Sequence, residues 1–285
     1  MNQYRDILHN VHAWGTPLPT PQGQPAFTLM QQTMSYDLAF GYPVITERNL
    51  ENSWRKAIGE ICAFINGATT IEELEKFGCD WWRPWTTAEK TSKRGLEPAS
   101  LGPASYGGAF HNFPTGDDTA PAFDQFASLV EQLRKFPHIR THFVTPWIPQ
   151  WQVRGSEKST IAPCHGWVHV RVIEGYLHLH MFQRSGDLPV GVPFNMVQYS
   201  ALMLMLCHLT GYLPGTYYHT ISDAHIYQNQ VAAVRVMLHR ENRRLPGMYL
   251  NADGKDVKDI HDFRAEHFEL HNYYPHPGLR IPVSV

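Results

Sequence analysis

The stretch Ala162–Tyr199, APCHGWVHVRVIEGYLHLHMFQRSGDLPVGVPFNMVQY, decides the fold. Trp167 to Ile173 and Tyr176 to Phe182 are apolar, alternating runs separated by Glu174-Gly175, so the spacing predicts two strands closed into a β-hairpin. Cys164 enters and Arg184 leaves at the same end of that hairpin. A guanidinium beside a thiol favours the thiolate, the form that attacks carbon. Gln183, Ser185, Asp187 and Pro193-Phe194-Asn195 follow closely, so a nucleophile, a cation, an acid and an amide share one short span.

Outward from this span, helical and strand patterns mix without regular β-α alternation, which indicates an α+β fold. Downstream, Met196 to Leu209 reads as a buried helix stopped by Gly211, shorter than the roughly 20 residues that cross a bilayer. A strand near His219 to Ser222 and a helix from about His225 to Arg243 follow. Upstream, Thr141 to Trp147 reads as a strand, and Phe126, Leu129, Val130, Leu133 and Phe136 form a helix stopped by Pro137. The apolar stripe Leu50, Trp54, Ala57, Ile58, Ile61, Phe64 and Ile65 predicts a core-facing helix over Asn49–Asn66.

Glu60 lies on that helix between Ala57 and Phe64 and fits two roles. Apolar neighbours would raise its pKa and suit it to proton transfer; at the edge of the stripe it would simply face water. Thr70 to Glu73 is a capping box that opens a short helix closed by Gly78. Trp81-Trp82-Arg83-Pro84-Trp85 is either core or a stacking wall for a planar ligand. Thr86 to Gly102 reads as a surface loop. At the N-terminus, Tyr4, Leu8 and Val11 give an amphipathic helix ended by Gly15 and Pro17, then a Pro/Gly/Gln-rich loop to Pro25. Met34, Tyr36 and Leu38 suggest a half-buried strand before Gly41-Tyr42-Pro43.

No linker divides the 285 residues, which are expected to form one domain. A net charge of −2 argues against nucleic-acid or membrane-surface binding, so anionic ligands must be held by local arginines. Four cysteines without C-x-x-C spacing argue against a zinc ribbon or a disulfide framework and fit a reducing cytoplasm. Met1 to Trp14 mixes polar and charged residues with its apolar ones, unlike a signal peptide. Among seventeen histidines, His178 and His180 share a strand face but lack carboxylate or cysteine partners at ligand spacing, so no metal is expected.

PCH, QRSGD and VGVPFNMVQY resemble the thymidylate synthase family, as do Ser222-Asp223-Ala224-His225-Ile226-Tyr227 and the ending PHPGLRIPVSV. The likeness runs from the first residues to Val285 and implies a single thymidylate synthase-like domain over residues 1–285, with a mixed or antiparallel sheet and flanking helices. It implies reductive methylation of dUMP with 5,10-methylenetetrahydrofolate as co-substrate. Cys164 would add to C6 of the pyrimidine; the other role open to it is that of a small buried hydrophobe. Asn195 would read uracil, accepting from N3–H and donating to O4, where related cytidylate hydroxymethylases carry aspartate; capping the following helix is its other role. LGPASYG resembles the family's LGP-x-YG and places Tyr106 as the active-site tyrosine.

By the same resemblance Arg184 and Ser185 belong to the phosphate clamp, with Arg140 contributed by the neighbouring subunit of a homodimer. His225 and Tyr227 match the pair that binds the sugar 3′-hydroxyl, with a surface strand end as their bland reading. Asp187 would meet the pterin, while Arg48, Trp82 and the carboxylate end at Val285 form the folate-side wall and closing tail. Gln183 and His165 stand behind them, and His165, pointing to the opposite strand face from Cys164, is a poor base.

The chain also departs from the family pattern. Pro19 to Gly23 supplies no cation where the family has an arginine loop, and Thr141 replaces the second interface arginine. A hydrogen bond to a charged group contributes roughly 1.5–3 kcal/mol, so the losses are large unless His138, His142 or Arg154 compensates. Arg83 replaces an aspartate, Ser222 a glycine and Gln230 a histidine. Two other readings stand beside methylation: a dUMP hydroxymethylase, in which water captures the methylene intermediate, and a catalytically silent folate- or RNA-binding relative.

Overall fold

A computed structural model describes residues 2–50, 53–116, 119 and 121–284. In chain order the elements begin with α1 Gln3–Trp14, β1 Thr16–Leu18, β2 Ala26–Asp37, α2 Trp54–Ile65, α3 Ile71–Lys76 and α4 Ala88–Ser92. Next come α5 Tyr106–His111, α6 Gln125–Lys135, β3 Phe143–Val144, β4 Trp167–Ile173, β5 Tyr176–Asp187 and α7 Gly191–Thr210. The last are β6 Leu213–Tyr227, α8 Val231–His239, β7 Gly247–Leu250, α9 Ala252–Asp256 and β8 Phe268–His271.

One mixed sheet has the order β1-β2-β6-β5-β4-β3, with β7 and β8 paired separately. Its pairs are antiparallel except β5 with β6, which run parallel because α7 carries the chain back across the sheet. The β4–β5 hairpin forms in the expected register, Trp167 opposite Phe182, with Glu174-Gly175 as the turn. Strand alternation buries Leu177, Leu179, Met181 and Gln183 of β5 on one face and leaves Tyr176, His180 and Phe182 on the other. The helices cover the buried face: α7 lies on β5 and β6 and packs against α2. The fold is α+β, as expected from the mixed pattern.

Several element boundaries differ from the sequence reading. The second helix starts at Trp54 rather than Asn49, after a backbone turn from Leu50, with residues 51–52 outside the described set. The apolar helix begins at Gly191, five residues earlier than expected, and at twenty residues it is long and apolar enough to cross a membrane. It is instead the central core helix, 83% buried and apolar on every side. The expected helix from His225 is strand: β6 runs to Tyr227 and α8 begins only at Val231. The strand expected over Thr141–Trp147 shrinks to Phe143–Val144 at the sheet edge, and Thr86–Gly102 contains α4. β2 is longer than expected, while Leu38 opens a 3₁₀ turn.

Candidate functional site

Cys164 sits just before β4, where the chain meets the end of β5: its carbonyl accepts from the backbone N–H of Arg184 at 2.7 Å and of Ser185 at 3.3 Å. Gly166, with φ +101°, makes the approach possible, since a side chain there would collide with Tyr199 Oη and Phe110. Tyr106, at the start of α5, accepts from Cys164 N at 2.6 Å and stacks between Phe64 and His165. Arg184 donates through Nε to Pro163 O (3.1 Å) and through Nη2 to Ala162 O (3.3 Å) and Cys164 Sγ (3.4 Å). The cation is thereby anchored on the thiol.

Burial pushes the Cys164 thiol above the usual cysteine range; Arg184 pulls it down and Asp223 raises it further. The expected thiolate is therefore favoured by Arg184 but is not the resting form, because desolvation outweighs the neighbouring charge. Cys164 as a residue is of intermediate exposure. His165 is buried, its Nδ1 2.7 Å from Tyr199 Oη, and burial holds it neutral with its pKa pushed down to about 3. This agrees with its exclusion as a base.

A directed chain of hydrogen bonds crosses the core beside the thiol. His219 Nε2 meets Gln183 Oε1 at 2.7 Å, Gln183 Nε2 donates to Asn195 Oδ1 at 3.0 Å, and Asn195 Nδ2 donates to Gln198 Oε1 at 2.8 Å. Gln198 Nε2 then donates to Glu60 Oε2, and Trp82 Nε1 donates to Glu60 Oε1 at 2.5 Å. Every donor points toward Glu60. Burial raises the Glu60 pKa to about 7, with the Trp82, Gln198 and Cys79 hydrogen bonds acting in the opposite direction. Of its two readings, the core position is the one found.

Local packing explains why Glu60 reaches that position. Gly59 lets α2 press against the loop after α3, where an added Cβ would lie 2.0 Å from Phe77 O. Tyr106 joins the two halves of the site, its ring 6.1 Å from that of Trp82 and its hydroxyl on Cys164. Asn195 lies inside the first turns of α7, whose N-cap is Val190, so the capping role is excluded. In the relay each of its amide groups keeps one unused hydrogen-bonding position: a lone pair on Oδ1 and a proton on Nδ2.

Asp187, at the end of β5, accepts from Val190 N (3.3 Å) and Gln230 Nε2 (2.9 Å), and burial raises it to about 6. Gln230 also donates to Pro282 O at 3.0 Å, and Gln24 Nε2 donates to Ser284 Oγ, so the C-terminal tail is tied over this end. Arg48 is buried, donates to Pro189 O (3.0 Å), lies 5.4 Å from the Phe194 ring centroid and leaves its Nε without a partner. Trp81 packs on Phe194 at 4.6 Å. His225 and Tyr227 are both buried on β6, so the surface-strand-end reading fails.

Not every expected residue is gathered here. Arg140 stands exposed at the sheet edge, its carbonyl accepting from His169 Nε2, and Val285 lies outside the described residues. His142 cannot replace a lost arginine, since it is buried and bonded through Nε2 to Phe136 O; His138 and Arg154 are exposed. Arg83 pairs with Glu75 and points into solvent. Sequence reasoning missed Gln198 and His219 as members of the relay. Gln198 carried a usable signal, lying one turn after Asn195 on the same helix face. His219 is seen only once β6 is known to bury it beside Gln183, and burial holds it neutral, pushed down to about 3.

With this geometry in place, comparison with known families gives a family model described as Thymidylate synthase, which matches residues 2–285.

Proposed function

The chain belongs to the thymidylate synthase family of folate-dependent one-carbon transferases, and from that premise we propose that it methylates dUMP reductively at C5 to give dTMP. The observation that carries this reading is the one-way amide relay through Asn195 to Glu60 beside Cys164. Gln183 and Gln198 fix the Asn195 amide so that its free lone pair and free proton match the N3–H and O4 of uracil. Cytosine presents the opposite pair.

Arg184 favours the Cys164 thiolate, which adds to C6; the C5–C6 double bond opens and its electrons reach O4 as an enolate, making C5 nucleophilic. Asn195 Nδ2 donates to that oxygen as charge develops there. Glu60, poised near neutrality, accepts a proton at its carboxylate and returns it. A bound methylenetetrahydrofolate supplies the one-carbon unit and the hydride. The residues present fit a folate: Trp81 and Phe194 form an aromatic wall, Asp187 offers a carboxyl group, and the buried Nε of Arg48 lacks a partner.

The sheet's outer face supports a homodimer. Phe143, Phe182 and Tyr218 are exposed on it as large aromatics, and Arg140 is exposed near its edge, in keeping with the cross-subunit role that the resemblance implies. Four free cysteines support a reducing cytoplasm. The test is to incubate the protein with dUMP and methylenetetrahydrofolate, weigh the nucleotide product and follow dihydrofolate. Thymidylate with dihydrofolate is expected. A product heavier by one oxygen, with tetrahydrofolate, would replace this reading with hydroxymethylation, and absence of turnover would leave a silent binding protein.

A further inference from the structure

Away from the thiol, metal-ligating side chains from three separate parts of the chain converge. His111 ends α5, Asp124 caps the N-terminus of α6, and His261 lies in the 3₁₀ turn Ile260–Asp262. Their ligand atoms all lie within 4.8 Å of one another. Asp124 Oδ2 stands 2.9 Å from His111 Nδ1 and 2.7 Å from His261 Nε2. Its other oxygen is occupied, accepting from Ala127 N at 2.9 Å. One carboxylate oxygen therefore faces two imidazole nitrogens.

The surroundings of the two histidines differ in an informative way. Asp259 Oδ1 lies 2.6 Å from His261 Nδ1 and accepts from His261 N at 2.9 Å, while the same ring's Nε2 is hydrogen-bonded to Asp124 Oδ2 at 2.7 Å, so His261 is held between two carboxylates. Asn66 Nδ2 and Arg264 Nη1 both donate to the carbonyl of the same residue, at 3.0 and 2.6 Å. His111 Nδ1 is buried yet makes no well-directed hydrogen bond, although the Asp124 oxygen is close. His111 Nδ1 and His261 Nε2 thus share one carboxylate oxygen, and a cation seated among the three atoms would satisfy all of them at once. A carboxylate behind a ligating histidine is also the arrangement that orients imidazole toward a metal.

We propose that His111, Asp124 and His261 bind a divalent transition-metal ion of the zinc class, with Asp259 orienting His261. Two imidazoles and one carboxylate suit zinc or ferrous iron, whereas magnesium and calcium call for oxygen ligands throughout. Tetrahedral ligands about 2.0–2.1 Å from zinc sit roughly 3.3 Å apart, so the Asp124 oxygen needs to draw back from each imidazole nitrogen by about half an ångström. The ion would tie α5, α6 and the 259–262 segment together. It would sit at the far end of the helix whose first residue, Tyr106, holds Cys164. The three ligands lie at positions 111, 124 and 261, so no spacing motif announced them and the sequence reading expected no metal.

The experiment uses full-length protein stripped with chelator and titrated with Zn²⁺ or Co²⁺ alone. One equivalent of zinc per chain is expected, with visible d–d bands on Co²⁺ loading and a rise in melting temperature on zinc addition. His111→Ala and His261→Ala should each weaken binding about tenfold or more, and Asp259→Asn by about 10–100-fold. Cys164→Ala should leave binding unchanged, which separates this site from capture by the Cys164 thiol. Equal zinc affinity in the His111→Ala/His261→Ala double variant would overturn the proposal. Should the alanine variants fail to fold, the wild-type Co²⁺ titration decides alone, and absence of d–d bands at one equivalent overturns the site.

Discussion

The two ends of the nucleotide site are built to different standards. At the end proposed for the nucleobase, hydrogen bonds link His219, Gln183, Asn195, Gln198 and Glu60 in one direction, and the amide proposed to read the base is fixed on both sides. At the end proposed for the phosphate, one chain supplies Arg184, which already serves two backbone carbonyls and a thiol, while Arg140 is exposed near the sheet edge and two expected arginines are missing. On the proposed reading, a single chain supplies the groups for the base but not all of those for the anion. The difference teaches that, if the proposed homodimer forms, base specificity should survive its dissociation, whereas phosphate affinity should not.

The largest expected effect is at the sulfur. Cys164→Ala should abolish both turnover and the covalent adduct with 5-fluorodeoxyuridylate seen by mass spectrometry; an adduct that persisted would remove the nucleophile from the mechanism. Next is the end of the relay. Glu60→Gln should lower kcat by about 10²–10⁴-fold. Because burial raises this carboxyl to about 7, its base form is populated above that value, so the wild-type kcat should rise with pH through about 7. The variant should lack that inflection, and a wild-type profile flat from pH 6 to 8 would contradict the assignment.

Asn195→Asp tests the base end from the middle of the relay. A carboxylate there still accepts from Gln183 but turns a second acceptor on Gln198 Oε1, and it cannot donate to uracil O4. Loss of one such hydrogen bond should cost uracil turnover about ten- to a hundredfold, with cytosine gaining relative to it. An unchanged ratio of deoxyuridylate to deoxycytidylate turnover would show that the amide is not the reader.

The smallest effects belong to the phosphate end. Arg140→Ala should raise KM for dUMP about tenfold, in line with one lost charged hydrogen bond. Mixing it equally with Cys164→Ala should restore roughly a quarter of the wild-type sites, because only the mixed dimer contains one intact site. Failure to complement would place Arg140 outside its neighbour's site. Comparable turnover of deoxyuridine and its monophosphate would go further and show that the phosphate is not read at all.

The sequence made the chemistry-bearing stretch legible because its parts are local. The β4–β5 hairpin declares itself by alternation and by Glu174-Gly175, and the order Cys164, Arg184, Asp187, Asn195 needs no tertiary knowledge. β6 was harder to read. Ser222-Asp223 interrupts the inward run Tyr217, His219, Ile221 with residues typical of helix caps, yet the strand continues through them to Tyr227. The relay and the 111–124–261 cluster depend on long-range pairing, which no window of sequence contains. The balance at the thiol is only half legible for a related reason: the cation beside it is visible in the sequence, but the burial that opposes the cation is not.

The central helix has one more consequence. Asn195 and Gln198 are carried by α7, which is apolar all round and buried between the sheet and α2, so it has no exposed edge from which to fray. Backbone amides in that segment should exchange with deuterium only when the whole molecule comes apart, at the slowest rate the protein shows. A base-reading surface mounted on such an element resists distortion by weak ligands, and whatever adaptability the enzyme has must come from its tail and loops.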